Sequence, residues 1–192
     1  LISSNYKNSK FSEKKYVEKI SEITNIKPNY FDIRISDFKN NIRRIVELNE
    51  EPFAGLPILS YYLMLKNINK NKVVLDGSGI DEAHGGYDKY YSKKQDYLLR
   101  SQDGSRSIQR EIFNKKFLKK HPNYDEEINF KNNLKSKMYN DIFYIKLPRA
   151  LRFRDKISMS LGQELRPAFL NKHLIAYLFK LKKNDHRNGN IN

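Results

Sequence analysis

The chain has 192 residues, a formal net charge of +15 and no cysteine. Its length suits one domain with a substantial core, and its 13 tyrosines and 11 phenylalanines argue against disorder throughout. The lack of cysteine excludes disulfides, thiolate zinc sites and cysteine nucleophiles within these residues.

The strong positive charge raises nucleic acid as a partner. Because the lysines are scattered along the chain rather than gathered in one block, a solvated basic surface is the favoured interpretation and nucleic-acid binding ranks below it. The sequence has no apolar run of the roughly 20 residues needed to span a bilayer, and no charged-then-apolar leader at Leu1. A cytoplasmic protein without a membrane partner is therefore the default prediction.

The first predicted elements are a helix and a strand. Residues 1–10 are polar and are predicted to be loose. Ser12 is a candidate N-cap for a helix whose apolar residues recur every three or four positions until Pro28. From Tyr30 to Ile35 apolar and polar residues alternate, which predicts a strand.

Two further helices and a second strand are predicted before residue 91. Ser36 is a candidate cap for one helix, and Pro57 suits the first turn of the next. The apolar run Val73–Leu75 predicts a buried strand. Because helices separate the two strands, we expect them to be parallel in one sheet with Val73–Leu75 at its centre. The loop after Leu75 would then lie where open α/β sheets bind ligands.

No strand is predicted in residues 92–192. Helices are predicted around Ile108–Phe113, from Asp125–Glu127 and over Leu134–Ile145. Asn171 is a candidate N-cap for a last amphipathic helix.

The most informative stretch covers residues 73–87, VVLDGSGIDEAHGGY. Gly77 and Gly79 permit backbone conformations and close approaches that a Cβ would block. Such a turn can hold a nucleotide against its N–H groups, and Asp81 or Glu82 can ligate a hard cation such as Mg²⁺. A strand–turn–helix with purely structural glycines is the alternative, and the clustered acids favour the functional interpretation.

The glycine-rich stretch resembles the second nucleotide-site loop of the asparagine synthetase (glutamine-hydrolysing) family, in which an apolar run is followed by Ser-Gly-acidic-Gly-x-Asp-Glu-x-x-x-Gly-Tyr. Three other stretches match in the same order. Glu50–Ala54 is similar to the family's Asp-Glu-Pro-Phe segment, Leu147–Met159 to its helix with Asp-Arg-x-Ser-Met, and Glu164–Asn171 to Glu-x-Arg-x-Pro-Phe-Leu-Asp. Four ordered matches are far more specific than any one of them.

The resemblance implies an α/β fold of the PP-loop ATP pyrophosphatase-like, adenine nucleotide alpha hydrolase-like kind. We expect a parallel-sheet, nucleotide-binding front half at residues 1–91 and an all-helical back half at 92–192, both within a partial synthetase domain that covers 1–192. The family's Ser-Gly-Gly-x-Asp-Ser phosphate loop is expected before Leu1, and its late Lys-x-x-Phe segment beyond Asn192. The glutaminase domain, which begins with cysteine in the family, has no match either, so we expect a fragment that is inactive alone.

The activity that the resemblance implies is ATP-dependent amidation of a carboxylate, foremost aspartate to asparagine, by an amidotransferase of asparagine biosynthesis. The carboxylate would attack the α-phosphate of ATP, pyrophosphate would leave, and ammonia from glutamine would displace AMP from the acyl-adenylate. ATP and Mg²⁺ are the expected cofactors, and an aspartate-like carboxylate and ammonia the expected small-molecule partners. A homo-oligomer is compatible with these features. The alternative is a catalytically inert, basic module that kept the fold and binds nucleic acid or protein.

By the same resemblance, the candidate ATP-binding residues are Leu75, Asp76, Gly77, Ser78 and Gly79. Asp81 is the candidate metal ligand and, with Glu82, the candidate catalytic pair. A helix N-cap is the simpler alternative for Asp81. The candidate substrate-binding residues are Ser78, Asp155, Glu164 and Arg166. An ion pair between Glu164 and Arg166 that braces the back half is an equally strong alternative.

This chain departs from the family pattern at four matched positions. Asp76 replaces Ser, Ser78 replaces Glu or Asp, Lys156 replaces Arg and Asn171 replaces Asp. Ser78 matters most, because a hydroxyl can hydrogen-bond but cannot supply a carboxylate base at neutral pH. The four histidines share no metal-ligand spacing, so no metal is assigned to them.

Overall fold

The computed structural model describes residues 1–6, 12–52, 56–68, 70, 72–91, 114–120 and 130–186. Packing divides the chain into two compact units. The first comprises Leu1–Val74 and Phe153–Leu165, and the second comprises Leu75–Arg152 and Arg166–Asn192. These groups of packed residues do not test the expected division after residue 91, which stays a prediction.

The first unit begins with a strand, where the sequence predicts loose chain. β1 spans Ile2–Asn5 and pairs in parallel with β2, Asn29–Asp32. The sequence of β1, Ile-Ser-Ser-Asn, shows no apolar strand pattern, because backbone pairing rather than apolar side chains defines this strand. β2 overlaps the strand predicted at Tyr30–Ile35, but it starts one residue earlier and ends three residues earlier.

α1, Lys14–Thr24, supplies the crossover that a parallel pair of strands requires. It confirms the first predicted helix but not its cap, since the N-cap position is Glu13 rather than Ser12. The Ser12 hydroxyl instead donates to the side-chain oxygen of Asn5 at 3.0 Å. Asn5 in turn donates to the carboxylate of Asp32 at 2.7 Å, which reinforces the pairing of β1 with β2.

The core of the first unit lies on α2, Ile35–Asn49, and α3, Leu56–Asn67. Arg34 rather than Ser36 is the N-cap of α2, because its backbone N–H donates to the Asp37 carboxylate at 2.8 Å. Pro57 lies in the first turn of α3, as predicted. The fully buried members of the core are Ile45, Leu59, Leu65 and, from α7 (Leu147–Ser160), Ile157.

The single sheet expected from the sequence is wrong for the described residues. β3 spans Val73–Asp76 and pairs with β4, Glu164–Pro167, whereas β2 pairs with β1 in a separate two-stranded sheet. A central parallel strand would be buried on both faces, but Leu75 is 75% exposed. β4 also corrects the expectation of an all-helical back half. Its sequence, Glu-Leu-Arg-Pro, is too short and polar to give a strand pattern.

The second unit is mostly helical. Its elements are α4 (Ile80–His84), a 3₁₀ turn (Asp88–Tyr90), α5 (Lys115–Lys120), α6 (Asn133–Phe143), the first part of α7, a 3₁₀ turn (Ala168–Leu170), α8 (Lys172–Leu178) and α9 (Lys183–His186). α6 confirms the helix predicted at Leu134–Ile145. Asn171 caps α8 as predicted, since its side-chain oxygen accepts the backbone N–H of His173 and of Leu174. The helices predicted at Ile108–Phe113 and Asp125–Glu127 lie outside the described residues.

The fold is therefore mixed α/β and mostly helical, with two-stranded sheets. Among the described residues no helix combines the length and the apolar character needed to cross a membrane.

Candidate functional site

A glycine turn joins β3 to α4, as the sequence motif predicts. Gly79 occupies the N-cap position of α4 with a φ of +91°, a conformation that residues with a Cβ rarely adopt. A Cβ at this position would also run into the side chain of Leu170. Backbone conformation and packing therefore both require glycine at residue 79.

The other glycine of the turn borders open space. A Cβ placed on Gly77 would meet no atom within 4 Å. Leu75, two residues earlier, exposes most of its apolar side chain to solvent. The turn thus offers an accessible backbone next to an apolar side chain, and this combination suits a nucleotide.

Asp81 and Glu82 are neighbours on α4 but lie in opposite environments. Asp81 is exposed and is the second residue of the helix, so Gly79 and not Asp81 serves as the N-cap. Glu82 is only 4% exposed. A Cβ on Gly86 would run into the Asp81 carboxylate. The absence of a side chain at residue 86 therefore leaves room for that carboxylate.

The exposed carboxylate of Asp81 fits a magnesium ion only together with a ligand. Mg²⁺ is bound through one or two protein carboxylates plus phosphate and water oxygens. Within the part of the chain that the structure describes, no cluster of three or more His, Cys, Asp or Glu side chains could hold a metal. A single exposed carboxylate such as Asp81 has the chemistry of a ligand to Mg²⁺ that is also bound to phosphate oxygens.

A family model for asparagine synthase matches residues 1–192, the whole chain. The chain belongs to the asparagine synthase family. No curated protein matches the chain significantly. Membership assigns a ligase-type, ATP-dependent amidation chemistry that acts on small molecules such as ATP, and connects the chain with asparagine biosynthesis.

Two departures from the family's usual loop lie next to each other in space. The buried Ser78 hydroxyl donates a hydrogen bond to the Asp76 carboxylate. Relative to the family pattern, residue 76 carries a carboxylate in place of a hydroxyl, and residue 78 carries a hydroxyl in place of a carboxylate. A carboxylate is present at the turn although residue 78 is a serine.

Buried charges and phenols lie on the inner side of α4. The Tyr87 hydroxyl donates to Glu82 Oε1 at 2.9 Å, and Lys146 Nζ lies 3.9 Å from the same oxygen. The ammonium of Lys146 also sits 3.4 Å from the centroid of the Tyr87 ring. Burial, and then the charge of Glu82, raises the pKa of the Tyr87 phenol well above its usual range. Tyr87 therefore keeps its proton and acts as a hydrogen-bond donor to Glu82.

A second group of the same chemistry links α6 to the 3₁₀ turn at Asp88–Tyr90. The carboxylate of Asp141 accepts the Tyr90 hydroxyl at 2.8 Å and the ammonium of Lys89 at 2.6 Å. Asp141 is fully buried, and burial followed by its charge raises the pKa of Tyr90 strongly.

Sequence reasoning missed the roles of Lys146, Asp141 and Tyr87. One signal was present: Lys146 interrupts the apolar residues Ile145 and Leu147, and a lysine within such a run is buried only when it is paired. The long-range partners themselves carry no local pattern.

The remaining candidate residues lie outside the glycine turn. Asp155 is exposed on α7, and its backbone carbonyl accepts the hydroxyl of the fully buried Ser158 at 3.0 Å. Glu164 and Arg166 are exposed on β4. Asp155 and Glu164 belong to the first unit, whereas Arg166 belongs to the second together with the turn. Residues 75–81 therefore border the glycine turn directly, Glu82 is buried, and the functional roles of all the candidate residues stay predictions.

Proposed function

We propose that the chain carries the nucleotide turn of an asparagine-forming amidotransferase that takes its ammonia from glutamine. The carboxylate of aspartate attacks the α-phosphate of ATP, and the bond to pyrophosphate breaks. Ammonia then attacks the acyl carbon of the adenylate, AMP leaves, and a proton is released. We expect this ATP-dependent reaction to take place in the cytoplasm.

The exposed Asp81 carboxylate beside an open glycine turn, in a chain of this family, carries the proposal. Leu75 gives the purine an apolar surface, and the backbone from Gly77 to Gly79 approaches the phosphates. Asp81 would hold Mg²⁺, which offsets the negative charge that builds up on the phosphate oxygens.

The acceptor carboxylate would be bound by residues that favour an anion or an amine. The guanidinium of Arg166 suits a planar carboxylate because it can donate two parallel hydrogen bonds. Asp76, oriented by Ser78, suits the ammonium group of an amino acid. Asp155 and Glu164 stay candidate substrate-binding residues on the strength of the family resemblance alone.

Two parts of the reaction would come from outside these 192 residues. One is the phosphate loop of the PP-loop-type synthetase domain, with the Ser-Gly-Gly-x-Asp-Ser pattern, and the other is the separate glutaminase domain that releases ammonia. We therefore expect the purified chain by itself to release no AMP from ATP with aspartate and ammonia. Sustained turnover by the 192 residues would contradict this part of the proposal.

The decisive experiment is an Asp81→Asn substitution in the complete encoded protein, with AMP formation measured across a Mg²⁺ titration. Asparagine keeps the size of the side chain but removes the charge, so we expect AMP formation to fall about 100-fold. The melting temperature should not change, because Asp81 is exposed and is not the helix cap. Normal rates at every Mg²⁺ concentration would place the metal site elsewhere. Salt-sensitive RNA binding without any response to ATP would favour the inert basic module instead.

A further inference from the structure

α4 is too short to be stable without contacts to the rest of the protein. It has five residues, and isolated helices of this length do not form in water. Its position must therefore come from contacts with the rest of the second unit. On the apolar side, Ala83 is fully buried and packs with Ile142, Leu147 and Leu178.

A single small apolar side chain does not fix the rotation of a helix about its axis. Successive residues of a helix are separated by about 100°, so a rotation that moved Glu82 to the exposed place of Asp81 would move Asp81 to the half-buried place of Ile80. The contacts of Glu82 decide between these two orientations, because a buried carboxylate is stable only where partners are waiting for it.

Those partners are Lys146 and Tyr87. Both act on Glu82 Oε1, the phenol through a hydrogen bond of 2.9 Å and the ammonium from 3.9 Å. The two partners also hold each other, since Lys146 Nζ lies 3.4 Å from the centroid of the Tyr87 ring. Lys146 and Glu82 are both at least nine-tenths buried, so water does not screen their attraction.

We propose that Lys146 and Tyr87 form a clamp on Glu82 that sets the rotation of α4, and that this rotation presents the Asp81 carboxylate to Mg²⁺–ATP. Glu82 is then a positioning residue that does not touch the substrate, and Lys146 is a positioning residue that the sequence did not suggest. Buried ion pairs contribute little to stability but can specify one arrangement over another. The inference rests on the proposed role of Asp81.

The first readout is hydrogen–deuterium exchange of the α4 amides, which does not depend on Asp81. Tyr87→Phe removes only the hydroxyl that reaches Glu82, so we expect about tenfold faster exchange at residues 80–84. Lys146→Met should have the same effect, whereas Lys146→Arg, which keeps the cation, should restore slow exchange. Unchanged exchange in both Tyr87→Phe and Lys146→Met would overturn the clamp. If Lys146→Met fails to fold, the double variant Glu82→Gln/Lys146→Met is measured instead, because it removes both buried charges.

The second readout is Mg²⁺-dependent binding of a fluorescent ATP analogue, measured with Tyr87→Phe alone and combined with Asp81→Asn. If the clamp acts through Asp81, Tyr87→Phe weakens binding about tenfold in the parent protein and has no further effect once Asp81 is asparagine. Equal weakening in both backgrounds would overturn the positioning role.

The control for a purely structural effect is Asp141→Asn, which breaks the second lysine–tyrosine–carboxylate group. It should lower the melting temperature and leave the Mg²⁺ dependence of binding unchanged. The inference and the proposed function fail in different ways. If Asp81→Asn leaves Mg²⁺-dependent binding intact, the role of Asp81 is wrong, while faster exchange in Tyr87→Phe still supports the clamp on α4.

Discussion

The two units of the chain bury different kinds of side chain. In the first unit the fully buried apolar residues are aliphatic, and the buried polar residues are uncharged, as with Gln163, which donates to the carbonyls of Leu65 and Ile68. In the second unit carboxylates, ammonium groups and phenols are buried together around Glu82 and Asp141. Apolar side chains can pack in several arrangements of similar stability. A buried charge is stable only in the arrangement that places its partner beside it. The ionic interior lies in the unit that contains the glycine turn.

The largest effect on stability is expected in the second unit. Asp141→Asn keeps the size of the side chain and an acceptor for Tyr90 but leaves the ammonium of Lys89 without its charge partner. Breaking a buried pair from one side should lower the free energy of unfolding by about 4 kcal/mol. Because the chain has no tryptophan, urea unfolding would be followed by far-UV circular dichroism.

The matched control for Asp141→Asn is Glu18→Gln, since Glu18 pairs with Lys14 on the exposed surface of α1. It should change the free energy of unfolding by less than about 0.5 kcal/mol. Equal losses in the two variants would show that Asp141 is not held in a desolvated pair.

The stability of the first unit should depend most on the volume of its buried aliphatic side chains. Ile157 is fully buried against α2 and α3, so Ile157→Ala leaves a cavity and should cost about 3 kcal/mol. Ile23→Ala removes the same atoms from a side chain that is 84% exposed and should stay within about 0.5 kcal/mol. Urea unfolding of both variants measures the difference. If Ile157→Ala were as mild as Ile23→Ala, the aliphatic cluster would not be the core of that unit.

Elements that are defined by their own residues could be predicted from the sequence, whereas those that depend on distant partners could not. α1, α2, α3 and α6 followed from apolar spacing, because each helix displays its pattern within its own residues. The glycine turn after β3 also followed from local chemistry. β1 and β4 did not, because their residues are polar and partners far along the chain define them.

The buried ionic groups escape sequence reasoning for a similar reason. Tyr90 and Asp141 are 51 residues apart, and neither position differs locally from a solvated surface residue. Only the fold shows that Glu82 faces inward while Asp81, one residue earlier, faces outward.

A titratable contact in the second unit predicts a dependence on pH. His186 of α9 is buried, and its Nδ1 lies 2.8 Å from the backbone carbonyl oxygen of His84. Burial lowers the pKa of His186 below its ordinary value of 6.5, although the contact with the carbonyl opposes the shift. The unfolded chain therefore binds a proton more readily than the folded one, and stability falls as the pH drops below 6.5.

The loss should reach at most about 1.4 kcal/mol per pH unit, until the folded pKa is passed. Urea unfolding between pH 7.5 and 5.5 measures it, and His186→Gln should flatten the profile. The charged groups around the ring are Lys135 and Asp185, and His84 adds a second imidazole, so Lys135→Met serves as a control for their contribution. A slope that persists in His186→Gln would assign the titration to another group.

The smallest effect is expected from the ionic contact at the end of α2, in the first unit. Lys156 Nζ donates to the backbone carbonyl of Asn49 at 2.7 Å and to the carboxylate of Glu50 at 2.9 Å. The hydrogen bond from Lys156, and then its charge, lowers the pKa of Glu50 below the ordinary 4.5. Because the folded pKa is the lower one, the contribution is present above pH 4.5 and is lost as the pH falls through the folded value.

Lys156→Met should raise the pKa of Glu50 back towards 4.5, as measured by carbon NMR of its carboxyl group, and should lower the melting temperature only slightly. Glu50 is 79% exposed, so water already solvates its charge whether or not the lysine is there. Lys156→Arg, which restores the residue usual in the family, should keep both the low pKa and the bond to Asn49. A loss as large as that in Asp141→Asn would contradict the comparison between the units, because it would mean that a solvated pair holds the first unit together as strongly as a buried pair holds the second. The expected ranking follows from desolvation alone: the charges of both pairs are similar, and only in the buried pair does the removal of one partner leave a charge with little water around it.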